Sequence, residues 1–145
     1  MYSPVPDGFG RRDAAIRYAE SLPPPALAQV VHCFWELRTL VPLEEDFHYH
    51  ALPDACVNLL LDQRDPDIAG VTALHTKATA LNLGRTFHYV GVQLFPGVWQ
   101  GDRDELIDRY VGTPYRGRLP LVATSRRCLR QDFAAMAPEL AALVE

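Results

Sequence analysis

Gln29-Val30-Val31-His32-Cys33-Phe34-Trp35-Glu36-Leu37-Arg38-Thr39-Leu40-Val41 decides the fold class of this chain. Val31, Cys33, Trp35 and Leu37 take every second position. His32, Glu36 and Arg38 take the alternate ones, with Val30 and Phe34 among them. Successive side chains of an extended strand point to opposite faces, so this period of two predicts a long strand.

Outward from that strand the pattern repeats. Phe47 to Leu52 is a second strand, broken by the turn-forming pair Pro53-Asp54. Cys56 to Leu61 is a short apolar run, interrupted by Asn58, and reads as a strand covered on both faces. Arg64-Asp65-Pro66-Asp67 is a turn. Ile68 to Leu74 and Thr79 to Leu83 are weaker strands, with Gly70 and Gly84 as bulge or turn points. Phe87 to Phe95 is a strong strand that Pro96-Gly97 stops. Residues 13–21 fit either one helical turn or an edge strand, and Pro23-Pro24-Pro25 ends either.

The period changes at Gly101. Asp102 and Glu105 match a capping box, and Leu106, Ile107, Tyr110 and Val111 follow at helical spacing before Gly112. Ser125 is read as the cap of a last helix carrying Leu129, Phe133 and Met136. Pro138 interrupts it, and a helical turn with Leu140 and Leu143 resumes. Strands joined by short turns, then helices, predict a mainly β domain with C-terminal α-helices, built as an antiparallel sandwich or barrel. The expected division is a β domain with its first capped helix over 1–112 and a helical segment over 113–145.

Composition narrows the function. The 145 residues suit one core, and the net charge of −4 argues against a domain that holds DNA by itself. No membrane-spanning apolar stretch and no signal peptide are found. Cys33, Cys56 and Cys128 are far apart and form no C-x-x-C pair, as expected of reduced thiols in a cytoplasmic protein.

Candidate chemistry is sparse. His48 and His50 share a strand face, with Asp54, His75 and His88 elsewhere, a set loosely like the H-x-H and carboxylate of cupin metal sites. The acid lies in a Pro-Asp turn and the flanking glycines of that motif are missing, so no metal and no other cofactor are expected. No nucleophile elbow and no phosphate loop are present, and Glu44-Glu45-Asp46 reads as a solvated loop. An enzyme is therefore not expected, the alternative being a small metal-dependent enzyme using His48 and His50. Arg126, Arg127 and Arg130 read as a solvated helix face. Asn58 and Gln93 stand out as amides inside apolar strands; each needs partners, either backbone groups or a small ligand in the interior.

Three segments together resemble a known family. Leu27-Ala28-Gln29-Val30-Val31-His32-Cys33-Phe34-Trp35-Glu36-Leu37 resembles the opening strand of the N-terminal domain in some AraC/XylS-type bacterial transcription regulators. Leu52-Pro53-Asp54-Ala55-Cys56-Val57-Asn58-Leu59-Leu60 resembles their L-P-D-G-C-x-D-L segment. Gly91-Val92-Gln93-Leu94-Phe95-Pro96-Gly97 resembles their G-V-R-F-x-P-G segment, and the helix expected from Asp102 fits the acidic helix that follows. Ala55, Asn58 and Gln93 depart from the usual glycine, aspartate and arginine. The last two remove opposite charges, as if an amide pair replaced an ion pair.

The resemblance implies a cupin-like β-barrel that binds a small effector or mediates dimerisation, with DNA read by a separate C-terminal domain. The residues after Arg118 are too few for two helix-turn-helix units, so this chain alone is expected to bind no nucleic acid and no membrane. Trp35, Asn58 and Gln93 are the candidate ligand-binding residues. Leu129, Phe133, Met136, Leu140 and Leu143 are spaced like a coiled-coil seam, which offers a homodimer contact; the same stripe would equally cover the barrel of its own chain.

Overall fold

The computed structural model describes residues 15–51, 57–73, 79–95, 106–107, 119–129 and 131–144. Among the described residues eight strands precede two helices: β1 (Ile16–Ser21), β2 (Val31–Thr39), β3 (Phe47–Ala51), β4 (Val57–Asp62), β5 (Ala69–Ala73), β6 (Thr79–Gly84), β7 (His88–Leu94), β8 (Leu106–Ile107), α1 (Leu121–Cys128) and α2 (Ala137–Ala142). The six strands expected between Leu27 and Pro96 are all present, and the ambiguous stretch before Pro23 is an edge strand, β1.

The large sheet has the order β1-β2-β7-β4-β5-β8, and β3 pairs with β6 in a second sheet. Every pairing is antiparallel except β5 with β8. The two sheets meet through Ile16, Leu37, Phe47, Leu60, Leu83, Phe87 and Tyr89, the arrangement of a sandwich. The opposite face of the large sheet packs Phe34, Leu59, Leu61, Val90 and Val92 against Leu121, Cys128, Met136 and Leu140 of the helical segment. β4 is thus covered on both faces, as its apolar run requires.

Three local readings are corrected. Leu106–Ile107 is a strand beside Val71 and Thr72 rather than the first turns of a capped helix. A sheet edge offers backbone donors and acceptors that need partners, and this tertiary demand outweighs a weak helical propensity. The remainder of the expected helix, Asp102 to Glu105 and Tyr110 to Gly112, lies outside the described residues. Ser125 is not a cap: α1 starts at Leu121, and Ser125 is buried inside it. Its hydroxyl accepts from Gln63 Nε2 at 2.8 Å and donates to the Asp62 carbonyl at 3.4 Å, which ties the helix to the end of β4.

The third correction concerns the apolar face of β2. A register shift between Val31 and Cys33 moves Val31 into the helix-side core, while Cys33, Trp35 and Leu37 keep the other face. Trp35 itself is half-buried. For the C-terminal stripe, the structure follows the second of its two readings. Met136 and Leu140 are at most 1% exposed and Leu143 is 5% exposed, all against their own chain, so these residues do not form a free seam. Pro138 sits in the first turn of α2, where a missing N–H costs nothing.

Candidate functional site

β7 lies between β2 and β4, so the register of both pairings fixes who meets whom. Cys33 faces Gln93, and Gln93 faces Asn58; in the adjacent row Trp35 faces Gly91, and Gly91 faces Leu60. Directly opposed residues of antiparallel strands share a face. Trp35, Asn58 and Gln93, which come from three separated segments, are therefore neighbours on the face turned toward β3 and β6.

The hydrogen bonds are specific. Trp35 Nε1–H donates to Asn58 Oδ1 at 3.1 Å, and the Cys33 thiol donates to Gln93 Oε1 at 3.7 Å. The indole spans β7 to reach Asn58, and Gly91 is what lets it pass. A Cβ at residue 91 would lie 2.5 Å from Trp35 Cε2 and 2.5 Å from the Leu59 carbonyl oxygen. Asn58 and Gln93 stand opposite each other, as an exchanged charge pair would, yet each carbonyl accepts from a different neighbour. Both bonds use the amide oxygens, Asn58 Oδ1 and Gln93 Oε1. Gln93 is buried, whereas Asn58 is partly exposed.

Sequence reasoning missed Gly91 and Cys33. A lone glycine within a strand marks a close approach, and Cys33 shares the parity of Trp35. Both signals were present, although only the register shows that they converge.

The next row holds Leu37, Tyr89 and Asp62. Burial is the main cause that raises the Asp62 carboxyl, opposed by the backbone N–H groups of Arg64 and Asp65, which bond its Oδ1 at 2.8 and 3.2 Å. Burial, with Asp62 beside it, pushes the Tyr89 hydroxyl up to about 12. Burial also pushes the Cys128 thiol, under the helices, up to about 11 from 9.0. Both acids are neutral in the folded chain at pH values where the unfolded chain would ionise. Their contribution to stability is full below pH 9 and is lost as pH rises through the folded values. Denaturant midpoints are expected to be flat from pH 7 to 8.5 and to fall between pH 9 and 12. Cys128→Ala should make the fall between pH 9 and 11 shallower, and an unchanged slope in that variant would refute the assignment.

The histidines do not gather. His48 is exposed on β3, and His88 lies on the opposite face of the large sheet with Nε2 2.8 Å from Glu36 Oε2. The side chains of His50 and His75, and the whole of Asp54 and Cys56, lie outside the described residues. Among the described residues no group of three or more His, Cys, Asp or Glu side chains is placed to hold a metal. Arg126 pairs with Asp67, and Arg127 pairs with Glu139 at 2.8 Å, which agrees with a solvated helix face. No described helix is long and apolar enough to cross a membrane.

No curated protein and no solved structure is significantly similar to the chain. A family model described as a domain of unknown function, DUF6597, matches residues 19–101. That stretch includes β2, β4 and β7, and with them Cys33, Trp35, Asn58, Gly91 and Gln93. Because the match covers more than half of its residues, the chain belongs to the DUF6597 family.

Proposed function

We propose that this chain is the signal-receiving domain of an AraC-type transcription regulator, working in the cytoplasm. It binds a small effector against Trp35, Asn58 and Gln93, pairs with a second copy, and leaves DNA reading to a separate domain. One observation carries the reading. Three residues singled out from separate motifs share one sheet face, where two side-chain amides lie beside an indole ring, the mix of apolar and directed polar groups that suits a small ligand. The order of the three motifs supports the AraC likeness, and the acidic net charge supports the absence of a DNA contact.

The test uses a Trp99→Phe background, which leaves Trp35 as the one tryptophan. Titration with a panel of neutral and acidic metabolites is expected to change Trp35 emission saturably for at least one compound. Asn58→Leu and Gln93→Leu should each weaken that response about tenfold, the cost of losing a directed hydrogen bond. A saturable response that neither variant alters would place the ligand elsewhere and sink the proposal. In a gel-shift at physiological salt the chain should give no sequence-dependent complex; a sub-micromolar specific complex would contradict the division of labour.

A further inference from the structure

The helix-side face of the large sheet is apolar around Phe34, Val90 and Leu61, then changes character one row away. β1 sets Arg17 opposite Arg38, and β7 sets His88 opposite Arg38 from the other side. Arg17 is held to this face because its neighbours Ile16 and Tyr18 pack into the cluster between the sheets. Three basic side chains therefore form one cross-strand row. Arg17 and Arg38 are like charges placed directly opposite, which is destabilising, so the pair requires a reason.

Among the described residues the two arginines of the row are not neutralised. The acid beside Arg38 on this face is Glu36, which is 2% exposed. Its Oε2 is bound to His88 Nε2 at 2.8 Å. His88 thus acts as a positioning residue that keeps the carboxylate on β7's side. Among the described residues neither Arg17 nor Arg38 forms an ion pair. Arg38 Nε is moreover buried with no hydrogen-bond partner among them. A buried N–H without an acceptor is unusual and leaves this guanidinium short of counter-charge.

We propose that Arg17 and Arg38 form a binding site for a small ligand bearing an oxyanion, a carboxylate or a phosphate. The planar guanidinium of Arg38, a residue that is partly exposed, suits the two-oxygen edge of such a group. Arg17, exposed on the edge strand, adds charge from the solvent side. The site lies on the sheet face opposite Trp35, Asn58 and Gln93, so it stands or falls apart from the effector site.

The experiment titrates the purified chain with inorganic phosphate and, separately, with acetate, following backbone amide shifts by NMR. Saturable shifts centred on β1, β2 and the start of β7 are expected. Tighter binding of phosphate assigns a phosphate-bearing ligand, and tighter binding of acetate a carboxylate-bearing one. Arg38→Gln should weaken binding about tenfold through the lost charge-assisted bonds. Glu36→Gln removes the nearby negative charge and should tighten binding about threefold. Arg126→Gln, on the helical segment and paired with Asp67, should leave it unchanged. If Arg38→Gln fails to fold, Arg17→Gln at its exposed position provides the same reading. The proposal is overturned if neither anion binds saturably, if Arg126→Gln weakens binding as much as Arg38→Gln, or if Glu36→Gln weakens it. Capture of heparin without any response to phosphate or acetate also overturns it, in favour of a polyanion surface.

Discussion

Gly91→Ala is expected to lose about 3 kcal/mol of stability, the upper end for forcing one extra methyl into a packed interior. The added Cβ would meet two atoms at 2.5 Å, one of the Trp35 ring and one the backbone carbonyl of Leu59. The two obstacles differ in kind. The indole can rotate away, at the cost of its bond to Asn58 Oδ1. The carbonyl belongs to β4, whose ladder with β7 runs through Leu59, Leu60 and Leu61, so it cannot withdraw alone. Replacing Trp35 by Ala in the Gly91→Ala chain should therefore recover only part of the loss, and the two changes should couple in a double-mutant cycle. Urea unfolding of the four proteins provides the check. A Gly91→Ala midpoint equal to that of the parent would show that β7 and β4 are not as close as described. Because the same glycine lets the indole reach Asn58, this variant should also lose the Trp35 emission response to effector.

Leu140→Asp is expected to cost more than about 4 kcal/mol, because it leaves a carboxylate buried without a partner. Leu140 is 0% exposed and packs with Leu121, Cys128 and Met136 onto the large sheet. A typical domain has about 5–15 kcal/mol of stability, so this one change should bring the chain close to unfolding at 37 °C. Phe133→Glu makes the contrast. Phe133 is only partly buried at the margin of that cluster, and less than half the loss is expected. If the stripe were instead a free seam between two copies, Phe133→Glu and Leu140→Asp would both yield folded monomers. Circular dichroism with light scattering separates the two outcomes: an unfolded Leu140→Asp chain supports the packed helices, and a folded monomer removes them.

The strands that carry the candidate site were legible because their patterns are local. Period-two alternation marked β2, the uninterrupted apolar run marked β4, and Pro96-Gly97 marked the end of β7. Amides inside apolar strands drew attention to Asn58 and Gln93 for a reason that holds in any fold, since a buried amide must be satisfied. What could not be read was pairing. Glu36 and His88 are 52 positions apart and meet only because β2 and β7 are neighbours. The register shift at Val31 and Cys33 is similarly invisible, since it depends on the partner strand. The expected helix after Asp102 failed at Leu106 and Ile107 for the same reason: the open edge of β5 recruits them, and no local spacing reports it. Ser125 was misjudged because its hydroxyl serves Gln63, a residue 62 positions away, rather than the helix start.

The strand order has a consequence for how the chain is made. β2 and β4 are not hydrogen-bonded neighbours in the large sheet; β7 runs between them, although it follows both in sequence. During synthesis the centre of the sheet is therefore the last of its three middle strands to emerge. Until Leu94 has left the ribosome, β2 and β4 each expose an unfilled edge beside apolar side chains, which is the template that invites pairing with other chains. Closing the gap also joins residues far apart in sequence, and such topologies fold slowly. A nascent chain stalled before His88 is thus expected to be among the most aggregation-prone species this sequence produces, and to rely on ribosome-associated chaperones over that interval.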